Sequence, residues 1–296
     1  MPYCYEFEAP DGCFGVTSEV DLAGPLKLYV GAWPWRSVPV LAQTHVEVAR
    51  QPEGGMRLHL TAQPQINRPT EYVIESASGV LDMLTRLCLE QLGPYGDLHA
   101  GSALIDGKLI VLPGESHAGK STLALQLAAR GHVLGGDDRL LMGPLTGAAE
   151  QRLEGVLLGL NARLRFPLDR RGGEAFARFV DERRLAAEAI SPALGFIAPR
   201  AGELAPFGHR APLAAIVVPL RQDSGGNALE RAAFSEIMRL LLEQLHAPHL
   251  PAAQLTQAVR QAALSVPGYV LRFEDSARAA QMIEALAQSG FGDLSQ

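Results

Sequence analysis

Lysine is scarce in this sequence, with only Lys27, Lys108 and Lys120 among 296 residues. Cysteine is equally scarce. Cys4, Cys13 and Cys88 are an odd number without metal-ligand spacing, which excludes a disulfide framework and fits a reducing compartment, so a cytoplasmic location is expected. No apolar run approaches the roughly 20 residues of a membrane-spanning helix. The stretch from Met1 to Asp11 carries Glu6, Glu8 and Asp11, where a secretory signal needs a basic start and an apolar stretch. A soluble protein that does not engage the membrane is expected. Positive charge is not in excess either: 26 basic against 32 acidic side chains give a net charge of −6, so there is no electrostatic basis for nonspecific nucleic-acid or anionic-membrane binding. The expected partner is a small molecule or a peptide.

What is present is apolar: 47% of residues are hydrophobic and 20% charged, enough for one large or two modest domains. Residues 1 to about 75 alternate apolar and polar side chains in short runs between Gly and Pro clusters. Leu26-Lys27-Leu28-Tyr29-Val30 and Arg57-Leu58-His59-Leu60 are examples, and both read as strands. The period then changes, with Val80, Leu81, Leu84, Leu87, Cys88 and Leu92 on one helical face until Gly93-Pro94, which predicts a helix over 76–92. The domains expected are a β-rich N-terminal module, 1–93, ending in a helix, and an α/β domain, 94–296.

In the second domain, strands are expected at Leu98 to Ile105 and Lys108 to Leu112, around the turn Asp106-Gly107. The loop Gly114-Glu115-Ser116-His117-Ala118-Gly119-Lys120-Ser121 follows, then a helix from Lys120 to Arg130 and a strand from His132 to Leu134. Later strands are expected at Ala214 to Pro219 and Tyr269 to Phe273, and helices at Ser235 to His246 and Ser276 to Gln288. This is the start of a βαβ unit, hence an α/β fold.

The loop carries the chemistry. Backbone N–H groups curled around a triphosphate at a helix N-terminus satisfy its oxygens without side chains, and Gly114 and Gly119 permit the curl. Lys120 then reaches the β- and γ-phosphates, the Ser121 hydroxyl holds Mg²⁺, and Thr122 lies one place further into the helix. With three lysines in the whole chain, such a motif arises rarely by chance. The expected cofactors are ATP, or GTP, and Mg²⁺. Asp137 and Asp138 follow Lys120 by seventeen and eighteen residues, at the end of the next strand. One of two adjacent carboxylates can hold Mg²⁺ while the other takes the proton of an attacking hydroxyl. Phosphoryl transfer also calls for a cation beside the γ-phosphate, and Arg163, Arg165, Arg200 and Arg210 are the candidates. The segment Ile197 to Pro212, rich in Pro, Gly and Ala, reads as a mobile loop that could close over substrate.

Leu98-His99-Ala100-Gly101, Leu112-Pro113-Gly114 through Leu125, Ala129-Arg130-Gly131-His132 and Gly136-Asp137-Asp138 together resemble the catalytic core of bacterial HPr kinase/phosphorylase. The resemblance covers His99 to Asp138. It implies a P-loop kinase core similar to that of phosphoenolpyruvate carboxykinase and ATP-dependent phosphorylation of a serine hydroxyl. It also places His99 close to the reacting groups and implies that one Asp is the base. Asp138 is taken as base and Asp137, with Ser121, as Mg²⁺ partner, an order the sequence leaves open. After the Asp pair the family carries Leu-Glu-Ile-Arg-Gly-Leu-Gly. This chain has Leu153-Glu154-Gly155-Val156-Leu157-Leu158-Gly159, without the arginine, which leaves open the phosphorylase half of the activity and HPr as substrate. Divergent relatives that phosphorylate a peptide serine are the nearer analogy. Such kinases assemble as hexamers, and a homo-oligomer is expected on that ground. Two other readings stay open: a small-molecule hydroxyl kinase, and a nucleotide-dependent ATPase or switch that binds a partner through the N-terminal module.

Overall fold

A computed structural model describes residues 1–146, 152–168, 170–185 and 193–291. It divides into two compact units, Met1–Gly93 and Pro94–Gln296. The first contains strands β1 (Tyr3–Glu8), β2 (Cys13–Ser18), β3 (Trp35–Val38), β4 (Val46–Arg50), β5 (Met56–Leu60) and β6 (Gln63–Thr70). They form a six-stranded sheet in the order β3-β1-β2-β4-β5-β6. Helix α2 (Val73–Leu92) packs on it and buries Val80, Leu81, Leu84 and Cys88.

The stretch expected as a strand at Leu26–Val30 is instead helical, α1 (Ala23–Tyr29). Leu26, Leu28 and Val30 alternate as a strand would. Burial follows a spacing of four, however: Leu22 and Leu26 are fully buried and Val30 nearly so, one stripe of a helix. Pro25 falls within the first turn, where its missing N–H costs no hydrogen bond.

The second unit begins with β7 (Gly96–Leu98), β8 (Ala100–Ile105) and β9 (Lys108–Pro113), then α3 (Lys120–Ala129) and β10 (Val133–Gly136). Strands β11 (Leu140–Gly143), β12 (Glu154–Val156) and β13 (Ala162–Arg165) follow, then α4 (Glu174–Asp181), β14 (Arg184–Leu185) and β15 (Leu194–Ile197). The chain continues through β16 (Arg210–Arg221), β17 (Ala228–Arg231), α5 (Phe234–Gln244) and β18 (Leu245–His246). It closes with α6 (Ala252–Ser265), β19 (Gly268–Phe273) and α7 (Ser276–Gln288). Among the described residues the large mixed sheet has ten strands, ordered β10-β8-β9-β16-β12-β11-β7-β18, with β19 beside β16 and β17 beside β19. A separate three-stranded sheet has the order β13-β15-β14.

At the centre of the large sheet, β9, β16 and β19 run parallel. Leu109, Ile110, Val111 and Leu112 are all fully buried, the uniform apolar run of a strand covered on both faces. Leu109 and Val111 pack with Ile237 and Leu241 of α5 and Val259 of α6. Helix α3 packs on β8 and β10 and against α7. Helix α6 was not foreseen from the sequence: only Ala258, Val259 and Ala262 are buried on it, and small side chains leave a faint periodicity.

Two expected elements differ in a way that shapes the site. The run Leu98 to Ile105 is two strands, not one. β7 pairs with β11 while β8 pairs with β9 and β10, so the chain changes neighbours at His99. Ile197 to Pro212 is not a free loop. Its ends belong to β15 and β16, and its middle is tied by Leu134 N–H to Glu203 O at 2.7 Å and Ala205 N–H to Leu134 O at 2.9 Å. Arg183 adds a bidentate ion pair to Glu203, with Nε–Oε2 at 2.7 Å and Nη2–Oε1 at 2.5 Å. Backbone groups satisfied in this way hold the segment down.

Candidate active site

The loop from Gly114 to Gly119 leaves the carboxyl end of β9, and α3 begins at Lys120. Gly119 has φ +97°, and a Cβ there would lie 2.6 Å from Phe273 Cζ; glycine alone meets both demands. Lys120 is buried, and its Nζ donates to the carbonyls of Gly114 at 2.8 Å and Glu115 at 3.0 Å. Burial lowers its pKa, against the pull of Asp137 and Asp138.

Strand β10 delivers the carboxylate pair. A Cβ on Gly135 would lie 2.5 Å from Ser102 Oγ, so glycine lets β10 lie close against β8 just before the pair. Asp137 is 2% exposed. Its Oδ1 accepts from Ser121 Oγ at 2.8 Å and its Oδ2 from the Arg163 N–H at 3.0 Å. Burial raises its pKa; the Arg163 N–H opposes this and Asp138 adds to it. Asp138 sits in the left-handed region, φ 74°, with Oδ2 2.7 Å from Arg163 Nη2 and Oδ1 3.5 Å from His99 Nδ1. Burial lowers the His99 pKa, against the attraction of Asp138, which favours the neutral ring near pH 7.

The buried charge on Asp137 has a measurable consequence. A carboxyl whose folded pKa is raised contributes stability in full below its unfolded pKa of about 4 and loses it as pH rises through the folded value. Asparagine keeps hydrogen-bonding atoms for Ser121 and the Arg163 N–H without that cost. Asp137→Asn is therefore expected to raise Tm by about 2 °C or more at pH 7.5, with the gain gone at pH 3.5. Thermal unfolding across that range checks it; an equal or lower Tm at pH 7.5 refutes the account.

These side chains share one cleft of about 710 Å³. Of the residues singled out from the sequence, Ser116, His117, Gly119, Lys120, Ser121, Thr122, His99, Asp137, Asp138, Arg163 and Arg165 line it. Gly114, Glu115 and Ala118 shape the loop beneath. The four candidate arginines divide. Arg163 and Arg165 project from one face of β13, with buried Leu164 between them, and Arg165 Nη1 lies 3.0 Å from His117 Nδ1. Arg200 and Arg210 are not in the lining. Arg200 pairs with Glu182 at 2.8 Å, and Arg210 with Glu154 at 2.5 Å and Tyr95 Oη at 2.8 Å. The Arg130-Gly131-His132 motif fastens α7 to the end of α3, since Arg130 Nη2 and His132 Nε2 both hold Glu284 of α7, at 2.6 and 2.9 Å.

Arg171, Phe176, Arg221, Phe273 and Glu274 line the cleft without having been foreseen. Arg221 and Phe273 are paired at the carboxyl ends of parallel β16 and β19, beside the loop that follows β9. Carboxyl ends of parallel strands are where open α/β sheets bind ligands. The signal was present as two strand ends, but not which strand neighbours which.

Fold and cleft thus define a mixed α/β protein whose glycine-rich loop, buried lysine and carboxylate pair meet at the ends of parallel strands. The chain is distantly similar to HPr kinase/phosphorylase. It is 40% identical over 65 residues to the HPr kinase/phosphorylase of Limosilactobacillus reuteri, covering 22% of this chain and 20% of that one. It is 36% identical over 91 residues to that of Paraburkholderia phytofirmans, covering 31% and 27%. The matches therefore span about a fifth to a quarter of these relatives' length. The Hpr(Ser) kinase/phosphatase structure from Coxiella burnetii superposes with a TM-score of 0.31 and 15% identity, over 65% of this chain and 88% of that one. No family model matches the chain.

Proposed function

We propose that this protein is a Mg²⁺–ATP-dependent kinase that transfers the γ-phosphoryl group to a hydroxyl, that of a serine in a peptide or small protein, on a P-loop core of the HPr kinase type. The observation that carries the reading is the meeting of Lys120, the Ser121–Asp137 pair and the Asp138–His99 pair in one cleft. In this reading the loop N–H groups and Lys120 bind the phosphates. Ser121 Oγ and Asp137 Oδ1, 2.8 Å apart, are hard oxygen donors that would hold Mg²⁺. The bound ion would neutralise phosphate charge and orient the β- and γ-phosphates.

Asp138 lies apart from that pair and half-exposed, where an acceptor hydroxyl can reach it. It takes the hydroxyl proton as the oxygen bonds to γ-phosphorus and the bond to the ADP oxygen breaks. His99 orients the carboxylate, and Arg163 and Arg165 face the transferring group. The missing signature arginine favours an acceptor other than HPr.

Incubation with γ-labelled ATP, Mg²⁺ and a serine-containing peptide library tests this. Label is expected on peptide serine. Label found solely in inorganic phosphate, with ATP bound, assigns the protein to the ATPase or switch class instead.

A further inference from the structure

We infer that Arg163 is a switch that holds Asp138 until a triphosphate draws it away, an inference that rests on the kinase reading above. Two parts of this one residue reach both carboxylates. Its N–H donates to Asp137 Oδ2 at 3.0 Å, and its Nη2 lies 2.7 Å from Asp138 Oδ2. The other Asp138 oxygen faces His99 at 3.5 Å. The oxygen that pairs with the guanidinium is thus engaged, and an acceptor hydroxyl must compete for it.

A γ-phosphoryl group presents more charge and more oxygens than one carboxylate, and a guanidinium pairs with it in a bidentate fork. The route is short. Arg163 and Arg165 share one face of β13, and Arg165 already touches His117 in the phosphate-binding loop. When a triphosphate enters, the Arg163 guanidinium moves onto it while the backbone N–H keeps Asp137 in place. Asp138 Oδ2 then opens toward the acceptor. Nucleotide binds before acceptor, and Oδ2 of the base stays paired with the guanidinium while the triphosphate site is unfilled.

The test is a double-mutant cycle read by calorimetry. Affinities of Mg²⁺–β,γ-imido-ATP and of Mg²⁺–ADP are measured for wild type, Asp138→Asn, Arg163→Gln and the double variant. Asp138→Asn is expected to bind the imido-triphosphate about fivefold tighter or more, because the guanidinium no longer has to leave a carboxylate. ADP affinity should stay within about twofold, since the exchange needs the γ-group. In the Arg163→Gln background the gain should vanish. A gain that persists there, or that is equal for ADP, means relief of general repulsion and overturns the switch; so does the absence of any gain. If Arg163→Gln does not fold, Arg163→Lys replaces it, and the gain must shrink there. If wild type binds neither nucleotide, the kinase reading itself falls and this inference with it, a result distinct from the others.

Discussion

Lys120→Ala is expected to lower affinity for Mg²⁺–ATP and turnover by about two to three orders of magnitude. The ammonium is the cation that the loop itself contributes, and it lies in a site with little access to water, where a charge–phosphate contact is weakly screened. The substitution leaves the Gly114 and Glu115 carbonyls without the donor they have now, so the loop loses its internal tie as well. The helix does not depend on this side chain: Leu123, Ala124 and Leu127 bury its inner face. Circular dichroism and Tm should therefore stay near wild type while isothermal titration shows the loss. Retained affinity would falsify the nucleotide site.

Asp138→Asn should produce the opposite split. Nucleotide binding is expected to survive, at wild-type affinity or better, while phosphoryl transfer falls by about two to four orders of magnitude. Asparagine fills the same space and can accept from Arg163, yet it cannot take the hydroxyl proton. Single-turnover transfer set beside binding affinity separates the two effects. Asp137 provides the control. If Asp137→Asn keeps nucleotide and loses transfer while Asp138→Asn still transfers, the base and the Mg²⁺ partner exchange roles.

Much of this site is legible in the chain itself, because its parts are close in sequence. Gly114 and Gly119 bracket a loop, Lys120 opens a helix, and Asp137-Asp138 ends the next strand, all within one strand–loop–helix–strand passage. The signals for each are local: a positive φ, a helix start, a strand end. The arginines show where local reading stops. Arg163, Arg165, Arg200 and Arg210 are equivalent candidates in sequence, and only strand pairing separates them. β13 turns two toward the cleft, while Glu182 and Glu154 hold the other two. The spacing Arg163-Leu164-Arg165 did carry a faint period-two signal.

His99 makes the same point. The run Leu98 to Ile105 is apolar enough to read as one strand, and its break arises because β7 and β8 find different neighbours far along the chain. The Leu26 to Val30 stretch fits a strand and a helix alike until the core selects the stripe through Leu22 and Leu26.

By itself, the sequence determined the glycine-rich loop, the helix it opens, the carboxylate pair and an α/β class, since backbone preference and side-chain period act over a few residues. Tertiary structure alone decided that Arg163 spans both carboxylates and that Arg221 and Phe273 border the cleft. Those contacts depend on which strands pair across gaps of tens to more than a hundred residues, and pairing is settled by burial of the whole core rather than by any one segment.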